Sequence, residues 1–293
     1  MKLTLLTGDV KVFSGANLPD QAVGLAWLGQ AGFAVRHAGC RFLIDPYLSD
    51  HLARKYSGSE FPHERLMPPP IRADEVRDLD LVLCSHAHGD HMDPGSLSVL
   101  ANNNPRCRFI VPRAEVETVV RLGVSAERVI PVNSGDTFWV SDTFTVQVIP
   151  AAHETLKVNE RGEHHFLGFI LKLGALTVYH SGDSVVYDGL VERLRENTID
   201  LALLPVNGRR DDLTSRGVMG NMSFEEAATL CLAAGIGLVI PHHFGMFAFN
   251  TVDAIGLKRQ AAHLDSRLHC CFPTVEYYYL LEPLSKTPNP NIA

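Results

Sequence analysis

In the stretch Ser85-His86-Ala87-His88-Gly89-Asp90-His91-Met92-Asp93, three histidines and an aspartate fall within six positions, directly after the apolar run Leu79 to Cys84. Imidazole nitrogen and carboxylate oxygen are donors that a borderline divalent cation such as zinc binds well. A strand over residues 79–85 delivers His86 and His88 from its open end, on one side of the following turn. Gly89 lets the chain fold back, so that Asp90 and His91 face the same place from a second direction. One cation cannot easily take all four donors from so short a loop. Two adjacent cations can, with His86 and His88 on one and Asp90 and His91 on the other. The competing reading is a polar turn that happens to be rich in histidine.

Three later stretches repeat the pattern of a donor just past an apolar strand. His153 follows the run ending at Pro150 and is read as a third ligand of the first cation. Asp183, in Ser181-Gly182-Asp183-Ser184, follows a hairpin; its two carboxylate oxygens suit it to bridge both cations. Its alternative role is as a helix cap, since Asp and Ser both serve there. The last central strand runs into His242-His243, one of which completes the second cation; neighbours on a strand face opposite sides, so only one can do so. Asp45, before Pro46, is either a turn former or a hydrogen-bond partner to a ligand histidine. Two adjacent divalent cations would bring the pKa of a water towards neutrality, supplying hydroxide for attack on a carbonyl or a phosphorus. Asp90 and Asp183 are the candidate catalytic carboxylates, with Asp90 steering the water or taking its proton.

The elements that must position these residues follow from the hydrophobic pattern. Strands are expected at 22–28, 33–37, 41–45, 79–85, 108–111, 129–132, 137–140, 143–150, 166–173, 176–180, 200–205, 238–241 and 275–281. Helices are expected from Asp93-Pro94 to about Asn102, at 113–122, 185–196 and 252–264, and at 224–234 behind the capping box Ser223-x-x-Glu226. Residues 47–70 lack any period and read as a loop-rich insertion near the mouth of the site, with His51 and His63 in it. Hairpins followed by strand–helix alternation occur twice along the chain. This doubling suits an α/β (α+β) fold, a four-layer αββα sandwich with the cations at one edge between two sheets. Residues 1–284 are expected to form one domain, and 285–293 a disordered tail.

The chain has 293 residues, 46% hydrophobic and 20% charged, with a net charge of −7. That is an ordinary composition for a folded domain with a large core. The acidic balance argues against a nucleic-acid backbone as partner. No apolar run is long enough for a membrane span, and Met1–Leu6 is too short for a signal core. The six cysteines include no C-x-x-C pair and read as reduced thiols of a cytoplasmic protein. Self-association into a homo-oligomer is left open.

The H-x-H-x-D-H string after a strand resembles the signature of the metallo-β-lactamase superfamily. That resemblance implies a later His, a later Asp in a Gly-Asp turn and a last His after a late strand. Three further stretches are similar to the L-ascorbate-6-phosphate lactonase group of metal-dependent hydrolases: Trp27–Phe33 (W-L-G-x-A-G-F); Leu204-Pro205-Val206-Asn207-Gly208-Arg209 followed by Gly220-Asn221-Met222-Ser223; and Ile240-Pro241-His242-His243-Phe244-Gly245. The resemblance implies His243 as the last ligand. The full set is then His86, His88 and His153 on one cation, Asp90, His91 and His243 on the other, and Asp183 shared. Zn and Mn are the leading candidates for the metal, with Fe and Ni compatible. The implied activity is hydrolysis of a small anionic lactone or related ester. Arg209 and Asn207, in the loop after a central strand, together with His242 and His165, are the expected substrate-binding residues. Competing readings are a phosphodiesterase on the same centre, a di-iron redox protein and a non-catalytic metal binder. The redox reading is disfavoured because a carboxylate usually stands where His88 is.

Overall fold

The computed structural model describes residues 1–7, 18–19 and 21–283, so the expected tail 285–293 lies outside the described residues. The strands are β1 (Lys2–Thr7), β2 (Val23–Gly29), β3 (Gly32–His37), β4 (Cys40–Ile44), β5 (Leu81–Leu83), β6 (Arg108–Pro112), β7 (Val129–Val132), β8 (Thr137–Ser141), β9 (Phe144–Pro150), β10 (Ala152–His153), β11 (Thr155–Leu156), β12 (Leu167–Leu173), β13 (Leu176–His180), β14 (Leu201–Pro205), β15 (Leu238–His242), β16 (His269–Cys270) and β17 (Tyr277–Glu282). One sheet has the order β1-β17-β2-β3-β4-β5-β6-β7, the other β16-β15-β14-β13-β12-β9-β8, and β10-β11 is a small separate ribbon. Each large sheet is antiparallel on one side and parallel on the other, with parallel pairs β4-β5-β6-β7 and β13-β14-β15-β16. The doubling expected from the pattern is therefore present.

Strand alternation builds the layers. Leu25, Trp27, Phe33, Val35, Phe42, Ile44, Leu81 and Leu83 join Phe144, Val146, Val148, Phe169 and Leu171 in one core between the sheets. The alternate residues Ala26, Leu28, Ala34, Leu43 and Val82 point the other way, onto Leu97, Leu100 and Ala101 of the helix Pro94–Asn103. Side chains at i and i+2 share a face, so one strand feeds two apolar layers at once. Behind the second sheet, the helix Phe224–Ala234 packs on β14 and β15. The capping box that starts it is formed as expected: the Ser223 hydroxyl accepts from the Glu226 N–H, and the Glu226 carboxylate accepts from the Ser223 N–H.

Three local expectations are corrected. The helix expected over 185–196 spans only Leu190–Arg195, behind a left-handed Gly189. Ser184 is not its cap, because its hydroxyl accepts from the Ala152 N–H at 3.1 Å and the Val185 N–H donates to the Ala152 carbonyl. The segment after Asp183 is thus tied to β10. Secondly, β1 is an additional strand that pairs antiparallel along β17. Thirdly, Gly89 has no left-handed φ. A Cβ there would meet Leu52 Cδ2 at 2.7 Å, so it is close packing against the helix His51–Lys55, not backbone freedom, that suits glycine at this place.

All six cysteines are free. Burial pushes the Cys270 thiol up to about 12 and Cys271 up to about 11, which favours the protonated thiols at neutral pH. Among the described residues, no helix is long and apolar enough to cross a membrane.

Candidate metal centre

The carboxyl ends of β5, β13 and β15 open at one edge of the sandwich, and β9 leads to the same edge through Ala151. The donors stand just past them. Two groups result: His86, His88, His153 and Asp183, and Asp90, His91 and His243; within each, the ligand atoms lie within 4.8 Å of one another. Asp183 joins the groups. Its Oδ1 is 3.3 Å from His91 Nε2, and its Oδ2 is 3.1 Å from His243 Nε2 and 3.7 Å from His153 Nε2. The donors expected from far-apart stretches of sequence therefore share one small volume.

Fixed hydrogen bonds aim the rings. His153 Nδ1 faces the Gly220 carbonyl at 3.1 Å, and His91 Nδ1 faces Asp45 Oδ2 at 2.8 Å. Both rings thereby present Nε2 to the cluster. Asp45 also accepts from the Ser85 N–H at 2.7 Å and from the Ser85 hydroxyl at 2.6 Å, which fixes the start of the histidine loop. Of its two readings, the contact with His91 favours Asp45 as hydrogen-bond partner of a candidate ligand histidine. The loop leaves as Asp93 accepts from the Gly95 N–H and caps the helix Pro94–Asn103. Asp183 is aimed by Gly182 at φ +60°, where an added Cβ would lie 2.7 Å from Ser85 Cβ and 2.8 Å from the Leu167 carbonyl oxygen. Glycine meets both demands at this turn.

The cluster suits cations. His86 Nε2, His91 Nε2 and Asp183 Oδ1 are buried without a hydrogen-bond partner, and orphaned buried polar atoms are rare unless something else engages them. Burial and the neighbouring His91 and His88 hold His86 well below its usual range; burial also brings His88 down and His153 to about 4. These three imidazoles are neutral and so able to bind a cation. Burial opposes the charge on Asp183, but His243 and His91 outweigh it and hold the carboxyl well below its usual range. Burial likewise opposes a proton on His91 or His243, yet the facing carboxylates, Asp183 first, raise both. Positive charge is favoured between these carboxylates, whether it arrives as protons or as metal ions.

The sequence pattern does not anticipate the role of Gln30. It is buried in the turn between β2 and β3, with its amide nitrogen 2.7 Å from Asp90 Oδ2 and 3.2 Å from His243 Nε2. Its backbone carbonyl accepts from Trp27 Nε1 and from the His243 backbone N–H. The W-L-G-Q-A-G-F string thus holds the second group of donors. Phe166 is a further addition, packed 5.1–5.7 Å from the rings of His86, His88 and His153.

His88, Asp90, His153, Asp183 and His243 floor a cavity of about 510 Å³ lined in part by the 47–70 insertion, as expected for that segment. The four expected substrate contacts are not part of this lining. Arg209 forms an ion pair with Glu226 and donates to the Asn221 carbonyl. Asn207 donates to Asn250 Oδ1 and accepts from Asn221 Nδ2. These contacts lock the Pro-Val-Asn-Gly-Arg and Gly-Asn-Met strings together, and Gly220, whose carbonyl holds His153, sits in that lock. The two asparagines and Arg209 are therefore engaged by contacts within the chain. His242 is fully buried between the sheets, stacked on His180 at 5.1 Å and edge-on to Phe33 at 5.8 Å. His243, past the strand at φ +61°, turns to the donors instead. His165 Nδ1 is taken by Glu115 at 2.7 Å. His51 is also absent from the lining, which from this segment includes Leu52, Lys55, Tyr56 and His63.

Comparison with known proteins agrees with this geometry. The family model described as Beta-lactamase superfamily domain matches residues 40–244. A UPF0173 metal-dependent hydrolase of Hyperthermus butylicus is 29% identical over 239 residues, covering 80% of this chain and 88% of that protein. N-acyl-phosphatidylethanolamine-hydrolyzing phospholipase D 1 of Caenorhabditis elegans is 26% identical over 190 residues, covering 61% of this chain but 52% of that longer protein. In fold, the structure of Igni18, a metallo hydrolase from Ignicoccus hospitalis, superposes with a TM-score of 0.65 at 20% identity, over 89% of this chain and 99% of that one. The family match spans well over half of the chain and contains every donor from His86 to His243. The chain belongs to the β-lactamase superfamily, as a metal-dependent hydrolase with the metallo-β-lactamase fold.

Proposed function

We propose that this hydrolase acts on a small anionic lactone or related ester, in the manner of the L-ascorbate-6-phosphate lactonase group, with a pair of divalent cations. The observation that carries the reading is the pair of adjoining donor groups, joined by Asp183, at the floor of an open cavity. His86, His88 and His153 would hold one cation and Asp90, His91 and His243 the other, with Asp183 between them; Zn and Mn suit the mixed nitrogen and oxygen donors. When bound, such a pair supplies Lewis acidity and a hydroxide at neutral pH. The chain's own residues do the rest. Asp90, held by Gln30, is placed to orient a water or take its proton. Lys55 on the cavity wall favours a negatively charged substrate, while Arg216 beside it is paired with Glu60. The free cysteines, Cys84, Cys107 and Cys231 buried and the other three partly exposed, support a cytoplasmic setting. The continuous core between the sheets supports reading 1–284 as one domain.

A second reading is phosphodiester hydrolysis, which the likeness to the phospholipase D favours. Elemental analysis of the purified protein, followed by rates on phosphorylated lactones, plain lactones and small phosphodiesters, separates the two. The lactonase reading requires two equivalents of metal and lactone turnover abolished by a chelator. Turnover of phosphodiesters alone would overturn it.

A further inference from the structure

One wall of the cavity above the donor floor is built from five rings. Tyr56, Phe61 and His63 come from the insertion, and Phe247 and Phe249 from the segment after β15. The rings hold one another. His63 stacks on Tyr56 at 4.3 Å and meets Phe247 and Phe249 edge-on at 4.9 and 4.8 Å. Phe61 lies 5.2 Å from Phe249, and Phe247 stacks parallel to Phe249 at 5.9 Å. The wall is anchored from below by Tyr47, 6.0 Å from Phe247, and from within by the His63 ring nitrogen against the Phe61 carbonyl at 2.7 Å. At the edge of the wall, Arg216 places its guanidinium 5.8 Å over the Phe61 ring and pairs with Glu60. Val218 and Met219 line the cavity too.

Part of this ring surface is left for a ligand to cover. Tyr56, Phe61, His63 and Phe249 keep part of their surface open to the cavity, and apolar area left in water forgoes stabilisation in proportion to its extent. A site for a polyol alone would line this wall with convergent donors and acceptors. Polar groups (Lys55, Ser59, Glu60, Arg216 and Asn250) also line the cavity, but on this wall the five rings are contiguous. Rings fixed by other rings are also preorganised, and aromatic pairs favour edge-to-face and offset contacts.

We infer that the five-ring wall binds an aromatic or other flat unsaturated ring of the substrate, so that the compound cleaved at the donor floor is an aryl or arylalkyl ester or lactone, with Phe249 and Phe61 determining specificity. This rests on the proposed hydrolase reading of the floor, but it can be tested separately. The full-length protein, loaded with metal and verified by elemental analysis, is titrated calorimetrically with phenylacetate and with cyclohexylacetate, anions of equal carbon count. The ring contact predicts phenylacetate tighter by roughly 2–12-fold. Phe249→Leu is expected to bring the ratio close to one while metal content stays unchanged; should that variant not fold, Phe61→Leu carries the same test. In turnover, dihydrocoumarin is expected to exceed δ-valerolactone and gluconolactone, with the Phe249→Leu loss falling on KM. Equal binding of the two anions, a preference for cyclohexyl or long acyl chains, or an unchanged ratio in a folded variant overturns the inference. An intact ring preference with no lactone or ester turnover supports the wall and removes the lactonase reading instead.

Discussion

Replacing Asp45 with asparagine tests the centre through a residue outside both donor groups. Asp45 is fully buried; Oδ1 accepts from the Ser85 N–H, and Oδ2 accepts from the Ser85 hydroxyl and faces His91 Nδ1 at 2.8 Å. Asparagine suits the position because it keeps an oxygen for the Ser85 N–H. It also tolerates φ +45°, a region where Asn and Asp are enriched. The change at His91 is specific. An amide NH₂ now meets Nδ1, which must become the acceptor, so the ring proton moves to Nε2. That nitrogen, 3.3 Å from Asp183, must be bare to hold a cation. Partners behind ligand histidines are worth roughly 10–100-fold in metal affinity, or about 1.4–2.7 kcal/mol. Loss of one hydrogen bond to a charged group, about 1.5–3 kcal/mol, gives the same range independently.

The assay is competition between the protein and a chelating dye for zinc and for manganese, with far-ultraviolet circular dichroism to verify the fold. One of the two binding steps should weaken by roughly 10–100-fold. The other, at His86, His88 and His153, should move less, because Asp45 reaches His86 only through the Ser85 hydroxyl. A folded Asp45→Asn variant that binds both cations like the wild type would refute the reasoning, because His91 would then be either unoriented by Asp45 or no ligand at all.

Other perturbations probe the same frame. His88→Ala should lose metal and nearly all turnover, read by elemental analysis and initial rates on one sample. Gly182→Ala combines a left-handed backbone with a clash against Ser85 and Leu167, and should cost roughly 2–5 kcal/mol in denaturant unfolding. Gly39→Ala, at φ +82° with nothing within 4 Å, should show the backbone share alone. In chelator-treated protein, burial holds His153 at about 4 while the unfolded residue titrates near its ordinary value of 6.5, so the unfolded state binds the extra proton between these pH values. Stability from this residue is intact above that window and falls as pH drops through it, by about 2 kcal/mol at pH 5. Relative to wild type, His153→Gln should therefore gain by that amount between pH 7.5 and pH 5; a pH-independent difference would contradict the assignment. Gln30→Met removes the donor to Asp90 and should slow turnover roughly tenfold with little change in unfolding midpoint.

The donors were legible in sequence because each follows an apolar strand directly, and strands of one sandwich open at the same edge. His86, His88, Asp90 and His91 need only a strand and a turn to be placed, and His153, Asp183 and His243 only the assumption of a common edge. Residues that act on the donors carry no such local mark. Gln30 is 60 positions from Asp90 and 213 from His243, so no spacing rule connects them. The five-ring wall is hidden for the same reason, since it joins an aperiodic insertion to a loop almost two hundred residues on. Arg209 is a different case. An arginine after a central strand reads as an anion clamp, but the neighbouring capping box carries Glu226, whose carboxylate caps Ser223 and takes the guanidinium as well. Both halves of that pair were visible in the sequence. A charged residue should therefore be weighed first against opposite charges that a legible motif already brings near, because a partner held in place costs less ordering than an incoming substrate.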